Sequence, residues 1–198
     1  DPAIKRRNAA DLAALAGFRM IEGDIRDAAL VGRLFREEGI EDVVHLAARA
    51  GVRPSIEDPA LYSDVNVTGT TVLLEAARRV RVKAFVLASS SSVYGARTDA
   101  PFRESDPPAV AISPYACTKQ ACELLGRTYA ALHGLDVTAL RFFNAYGPRQ
   151  RPDMAIHRMI EAARRGTPFP LFGDGSHVRD FTFVGDVARA TVLAGTAD

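Results

Sequence analysis

The sequence is poor in the residues that mark several protein classes. It has no tryptophan and two cysteines, Cys117 and Cys122, too few for a disulfide scaffold or a thiolate zinc site. The two lie five apart on an expected helix, on different faces, and read as small residues in a reducing compartment. No apolar run approaches the ~20 residues that a membrane span needs. Neither sign of charge dominates: 25 Lys+Arg against 24 Asp+Glu leave a formal charge of +1, which argues for neither a nucleic-acid nor a membrane partner. No leader pattern of basic residues followed by an apolar stretch occurs at the N-terminus, and the expected location is the cytoplasm. Lysine is scarce, with Lys5, Lys83 and Lys119 against 22 arginines. The four histidines, His45, His133, His157 and His177, have no metal-like spacing, and no metal site is expected. His45 follows two valines in an apolar run and reads as structural. What is present is globular: 47% hydrophobic and 25% charged residues over 198 positions, enough for a real core.

Along the chain the apolar periodicity switches between helix and strand. Residues 3–16 carry helical spacing and stop at Gly17; 18–25 read as a short strand. Asp27 is a candidate N-cap for a helix that Gly39 ends. Residues 42–48 (DVVHLAA) form an almost continuous apolar run, as a parallel strand covered on both faces would. A helix over about 60–79 follows, then the strand KAFVLAS at 83–89. The polar, proline-containing stretch 95–114 is too long for a plain connector and reads as functional. A helix over 115–133 stopped by Gly134, a strand over 136–144, a helix over about 154–165, a short strand near 179–184 and a helix from Asp186 complete the series. This alternation implies a doubly wound α/β fold of Rossmann type, a parallel sheet wrapped by helices.

The strongest chemical signal is Tyr115-Ala-Cys-Thr-Lys119. On a helix, i and i+4 share a face, and a neighbouring cation lowers the phenol pKa from its usual value of ~10. The pair would then serve as a proton acceptor near neutral pH. Any amphipathic helix can produce this spacing; the context gives it meaning. The strand before it ends in Ser89-Ser90-Ser91-Ser92-Val93-Tyr94-Gly95, and strand carboxyl ends are where doubly wound sheets bind ligands. A serine hydroxyl there can hydrogen-bond the oxygen that Tyr115 deprotonates, as hydride transfer at a carbinol carbon requires.

These motifs, taken with GDIRD (23–27), HLAARAGVR (45–53), NVTGT (66–70), RFFNAYGPRQRPDM (141–154) and GDGSHVRDFTFVGDV (173–187), resemble the extended short-chain dehydrogenase/reductase family, in its nucleotide-sugar epimerase/dehydratase branch. The resemblance implies bound NAD, with NADP not distinguished, and a UDP-sugar substrate. It implies catalytic roles for Ser90, Tyr115 and Lys119. Around the cofactor it places Asp24, Ile25, Leu46, Ala47, Ala48, Arg49, Asn66, Ser89 and Phe142, along with Tyr115 and Lys119, and Phe143 packs nearby. Around the substrate it places Ser91, Ser92, Asn144, Arg151, Phe172 and Arg179. The Asp-Glu pair that sugar dehydratases carry after the catalytic hydroxyl is replaced by Ser91 and Ser92, and the glutamate that decarboxylases carry before Val-Tyr-Gly is absent. The remaining chemistry is C4 epimerisation. The segment AARAGVRPSIEDP is most similar to UDP-glucuronate 4-epimerases, with UDP-glucose and UDP-N-acetylhexosamine 4-epimerases next. Arg151 is the expected contact to a C6 carboxylate, since Arg recognises carboxylates in bidentate fashion. A dehydratase or reductase of the same family, and a non-catalytic relative, are the alternatives.

One departure is clear. The family's Gly-rich turn, which receives the pyrophosphate at a helix N-terminus, occurs nowhere in these residues. The resemblance therefore implies a partial sequence without the first two strands: a partial NAD-binding domain over 1–152 and part of a substrate lobe over 153–198. Such a piece is expected to expose strand edges, to bind NAD weakly and to be inactive by itself. The complete protein is expected to be a homodimer.

Overall fold

The structure, a computed structural model, describes residues 2–170, 174–175 and 178–196. Helix α1 (Pro2–Ala13) is followed by α2 (Ala28–Glu37). Asp27 caps α2, its carboxylate accepting from the Ala29 and Leu30 amides at 3.0 and 2.9 Å. Strand β1 (Asp42–His45) leads to α3 (Val52–Glu57) and α4 (Pro59–Tyr62), then a π turn over Ser63–Thr68 and α5 (Gly69–Val80). Strand β2 (Ala84–Ser90) ends in a 3₁₀ turn over Ser91–Tyr94. After the long loop come α6 (Pro114–His133), β3 (Val137–Phe142), β4 (Asn144–Tyr146), α7 (Ala155–Arg165), β5 (Phe181–Phe183) and α8 (Val184–Thr196).

Strands β1, β2 and β3 form a parallel sheet with β2 at its centre, and β4 pairs in parallel with β5 in a second, two-stranded sheet. Every residue of β2 is buried, which is why its sequence is apolar without alternation. One core layer lies between this sheet and the helices α2, α5 and α6. Phe85 and Leu87 of β2 pack there with Phe35, Leu73, Leu74, Ala77 and Cys122. Full burial of side chains such as Phe85 and Leu74 contributes roughly 1.5–3 kcal/mol each. On the other face α8 returns to lie across the sheet.

Helix α6 carries the candidate catalytic pair, and both its ends are set by sequence. Ser113 accepts from the Ala116 amide at 3.1 Å, Pro114 occupies the first turn, and Gly134 adopts a left-handed φ of 65°. These features are the expected signals of a helix start and stop.

Four expectations are corrected. Residues 18–25 are not a strand, because no segment among the described residues pairs with them and a strand exists only through its partner. β1 stops at His45, and Val44 is 48% exposed, so this strand is an open edge and is not covered on both faces. The helix expected over 60–79 is interrupted by the π turn. There the Asn66 carbonyl accepts from the Thr70 hydroxyl at 2.6 Å and the Cys122 thiol at 3.3 Å, and such bulges are often found at functional sites. The strand expected over 136–144 splits at Phe143 into β3 and β4, which belong to different sheets.

Candidate active site

Tyr115 sits in the first turn of α6. Its amide donates to the Ser55 hydroxyl at 3.1 Å, and its ring meets Tyr62 edge-on at 6.3 Å. Ser90 ends β2, where its hydroxyl accepts from the Ser92 amide and donates to the Ser92 hydroxyl, both at 3.2 Å. Ser90, Ser91, Ser92, Tyr115, Phe142, Asn144 and Arg151 line one open cleft of about 490 Å³, with Phe143 and Arg149 beside them. The strand-end serines, the tyrosine helix and the RFFNAYGPRQRPDM segment are thus brought together from three regions of the chain.

The electrostatics differ from the sequence expectation. Burial pushes the Tyr115 phenol above its ordinary value; the nearby Ser90 hydroxyl, and more weakly the Arg151 charge, pull it down. The Lys119 ammonium is 5% exposed and donates to the Ala88 carbonyl at 2.7 Å, and burial depresses its own pKa.

Asn66 acts as a bracket. Its Oδ1 accepts from the Arg49 amide at 2.7 Å, and its Nδ2 donates to the Arg49 carbonyl and the Thr118 hydroxyl, both at 3.0 Å. Thr118 in turn donates to the Tyr115 carbonyl at 2.8 Å. The loop after β1 and the first turns of α6 are therefore fixed to each other through one side chain.

The other expected site residues are dispersed. Ile25, Leu46 and Ala47 line a separate groove of about 460 Å³ beside the open edge of β1, with Ala48 half-buried just beyond. Asp24 is exposed and bound to Arg26 through contacts of 2.6–3.0 Å, which hold its carboxyl at about 2. The Ser89 side chain faces the interior and donates to Glu123 at 2.5 Å. Asn144 Nδ2 donates to the Asp180 carbonyl at 2.9 Å. Arg179 is exposed, donates to the Val178 carbonyl at 2.7 Å, and does not line the cleft. Phe172 and His177 lie outside the described residues. Arg151 holds Asp153 in a two-point pair at 3.1 and 2.8 Å with half of its side chain exposed.

Sequence reasoning missed several residues that build the site. Gln120 Nε2 donates to the carbonyls of Val93 and Ala109 at 3.0 and 2.6 Å, tying the long loop to the 3₁₀ turn. Gly95, at a φ of 61°, lets that loop pass so close that a Cβ would lie 2.6 Å from the Val110 carbonyl. Gln150 bridges the Ala145 carbonyl and the His157 amide. Glu123 and Arg141 form a buried ion pair. The available signal was the spacing 115, 119, 123, which continues one helix face.

His45 is structural, as expected. It is 5% exposed, its Nε2 lies 2.9 Å from the Thr70 hydroxyl, and burial lowers its pKa to about 4. The unfolded chain takes up that proton near pH 6.5, so the contribution is complete above 6.5 and is lost as pH falls from 6.5 towards 4. The loss amounts to about 3 kcal/mol. Urea midpoints measured from pH 7 to pH 4.5 should fall steadily, with a clearly smaller slope for His45→Gln; equal slopes would contradict this role.

Residues 2–198 match the profile of the NAD dependent epimerase/dehydratase family. The chain belongs to that family. Among curated members, the UDP-glucuronate 4-epimerase of Thermodesulfobacterium geofontis is 45% identical over 177 residues, covering 89% of this chain and 54% of its own length. The chain spans about half the length of the curated relatives it matches. Of the solved family structures, the UDP-glucuronic acid 4-epimerase of Bacillus cereus, in complex with UDP-glucuronic acid and NAD, superposes with a TM-score of 0.90 at 37% identity over 100% of this chain and 62% of that one. DesIV, a dTDP-glucose 4,6-dehydratase of Streptomyces venezuelae, gives a TM-score of 0.87 at 38% identity over 96% of this chain and 59% of its own. Among the described residues no strand precedes β1. No helix among the described residues is long and apolar enough to cross a membrane.

Proposed function

We propose that this chain carries the active site of a nucleotide-sugar 4-epimerase that acts on UDP-glucuronate with NAD as its resident cofactor. The observation that carries the reading is the cleft in which Ser90, Tyr115 and Arg151 meet, in a chain 45% identical to a UDP-glucuronate 4-epimerase. The residues fit the cofactor. Lys119 is a buried ammonium with three donors, and among the described residues one hydrogen bond of its Nζ, to Ala88, is observed. It therefore has N–H groups to offer a ribose diol. Ala47 and Ala48 leave room for close approach to the backbone that Asn66 holds. When bound, NAD supplies a reversible hydride acceptor, so C4 can be oxidised and reduced again without net cofactor consumption.

Tyr115 takes the C4 hydroxyl proton in one half of the cycle and returns it in the other. Ser90 hydrogen-bonds the same oxygen and supports the phenolate. Ser91 and Ser92 provide hydroxyls where elimination would need an acid and a base, which favours epimerisation over the dehydration named for DesIV. Asn144 faces the sugar nucleotide. Arg151 lines the cleft with half of its side chain exposed, and we assign its guanidinium to the C6 carboxylate, which would take the place of Asp153 at the fork. Asp24, Ile25, Leu46 and Phe142 fall to the cofactor side, and Phe172 and Arg179 to the nucleotide side. Residues 153–198 serve as part of the substrate lobe, returning β5 and α8 to the sheet. The complete protein is read as a cytoplasmic homodimer, and Leu124 and Leu132, which lie on one face of α6 at 66% and 71% exposure, are available to such an interface.

Product analysis of the complete protein supplied with UDP-glucuronate and, separately, UDP-glucose tests the reading: the C4 epimer of the uronate should predominate, and conversion of the neutral sugar alone would replace the substrate assignment. Arg151→Ala should raise KM for the uronate by about 10–100-fold, the equivalent of a charge-assisted hydrogen bond of about 1.5–3 kcal/mol. KM for UDP-glucose should change far less, and equal losses on both sugars would refute the carboxylate role.

A further inference from the structure

Tyr115, Lys119 and Glu123 lie on one face of α6 at spacings of four. The last three residues of β2 all lie along that face. Lys119 donates to the Ala88 carbonyl at 2.7 Å, Ser89 donates to the Glu123 carboxylate at 2.5 Å, and Ser90 lines the same cleft as Tyr115. Glu123 is 4% exposed, so its charge needs a partner. Arg141 of β3 provides it in a two-point pair at 3.0 and 2.9 Å. The Arg141 guanidinium also donates to the carbonyls of Glu104 and Asp106 at 3.4 and 3.2 Å, and lies 4.9 Å from the centre of the Tyr94 ring. One buried pair thus joins α6, β2, β3 and the long loop, one residue away from Ser90.

We propose that Glu123 and Arg141 are positioning residues for the Ser90–Tyr115 pair: by fixing Ser89 against α6 they set where the Ser90 hydroxyl stands relative to the phenol. A buried ion pair gives little net stability over a well-packed apolar pair of similar volume, but it has direction. A carboxylate held by an arginine fork presents an oxygen to Ser89 at a fixed point, and an apolar contact in its place would let β2 slide or twist against the helix. Displacements of about 1 Å at a reacting pair can cost about 10²-fold in rate.

This inference rests on the proposed acid–base role of Tyr115, and the test separates the two. In the complete protein, Glu123→Leu combined with Arg141→Met replaces the pair by apolar groups, and Arg141→Lys keeps the charge but removes the fork. Three quantities are measured: the urea midpoint, kcat and KM for UDP-glucuronate, and the tyrosinate absorbance titration of Tyr115, isolated by subtracting the same protein carrying Tyr115→Phe. The expected result is a midpoint near that of the parent for the double variant, kcat reduced by about 10²-fold with KM within about threefold, and a Tyr115 titration displaced to higher pH as the Ser90 hydroxyl moves away from the phenol. Arg141→Lys should show the same signs with a smaller kcat loss, and it carries the test if the double variant does not fold. A folded variant with parental kcat and an unmoved titration overturns the proposal. If the parent protein converts no UDP-sugar, the function reading fails, and the titration alone decides the positioning claim.

Discussion

Replacing Tyr115 by phenylalanine should reduce epimerisation by about 10²- to 10⁴-fold, the range contributed by a positioned acid–base group, while leaving the fold intact. Tyr115 lines the cleft, and the ring keeps its edge contact with Tyr62 and its place in the α6 first turn, where the amide bond to Ser55 is a backbone interaction that phenylalanine preserves. The loss should fall on kcat, because sugar and nucleotide contacts come from other residues. The pH dependence adds a second signature. Burial raises the Tyr115 pKa, so the phenolate fraction, and with it kcat, should climb with pH through the neutral range. Ser90→Ala removes the hydroxyl that opposes this shift and should move the rising limb to still higher pH. Tyr115→Phe should abolish the limb. Steady-state turnover of the complete protein from pH 6 to pH 10 reads all three. A phenylalanine variant that keeps parental turnover, or a profile that falls as pH rises, would remove Tyr115 from the acid–base role.

The sequence made the fold class and the centre of the site legible for the same reason: both rest on local patterns. The apolar run of β2, the Ser113 and Gly134 limits of α6 and the four-residue spacing of Tyr115 and Lys119 are encoded within a few residues of one another. The misreadings came where the outcome depends on distant partners. Residues 18–25 have strand-like composition, yet among the described residues no strand lies alongside them. At the π turn over 63–68 the Asn66 carbonyl accepts from Cys122, 56 residues further along the chain. Lys119 was expected to act on the phenol, and the Ala88 carbonyl claims its ammonium because a buried cation takes the nearest acceptor. Ser89 looked like one more member of a polar run until Glu123 and Arg141 gave its hydroxyl a direction. None of these pairings leaves a local trace in a single sequence.

The largest stability effect at the site should come from Asn66. It is 1% exposed, and its amide spans three partners: the Arg49 amide, the Arg49 carbonyl and the Thr118 hydroxyl. Asn66→Ala removes an acceptor and two donor contacts together. The Arg49 groups lie near the surface and can turn to water, whereas Thr118 is 3% exposed and cannot. With about 1–3 kcal/mol for each buried group left unpaired, and less for those that rehydrate, the expected destabilisation is about 2–4 kcal/mol. Asn66→Asp sharpens the argument, because it is almost isosteric. One carboxylate oxygen could still accept from the Arg49 amide, but the other would face the Arg49 carbonyl, an acceptor against an acceptor, within a buried setting that penalises charge. The aspartate variant should therefore be destabilised at least as much as the alanine variant, although it keeps the shape. Urea midpoints rank the variants, and hydrogen exchange locates the damage. The Arg49 amide should lose protection first, and the Tyr115 end of α6 should follow, since Thr118 passes the bracket on to the Tyr115 carbonyl. An aspartate variant as stable as the parent would show that Asn66 fills space there without holding the loop after β1 to the catalytic helix.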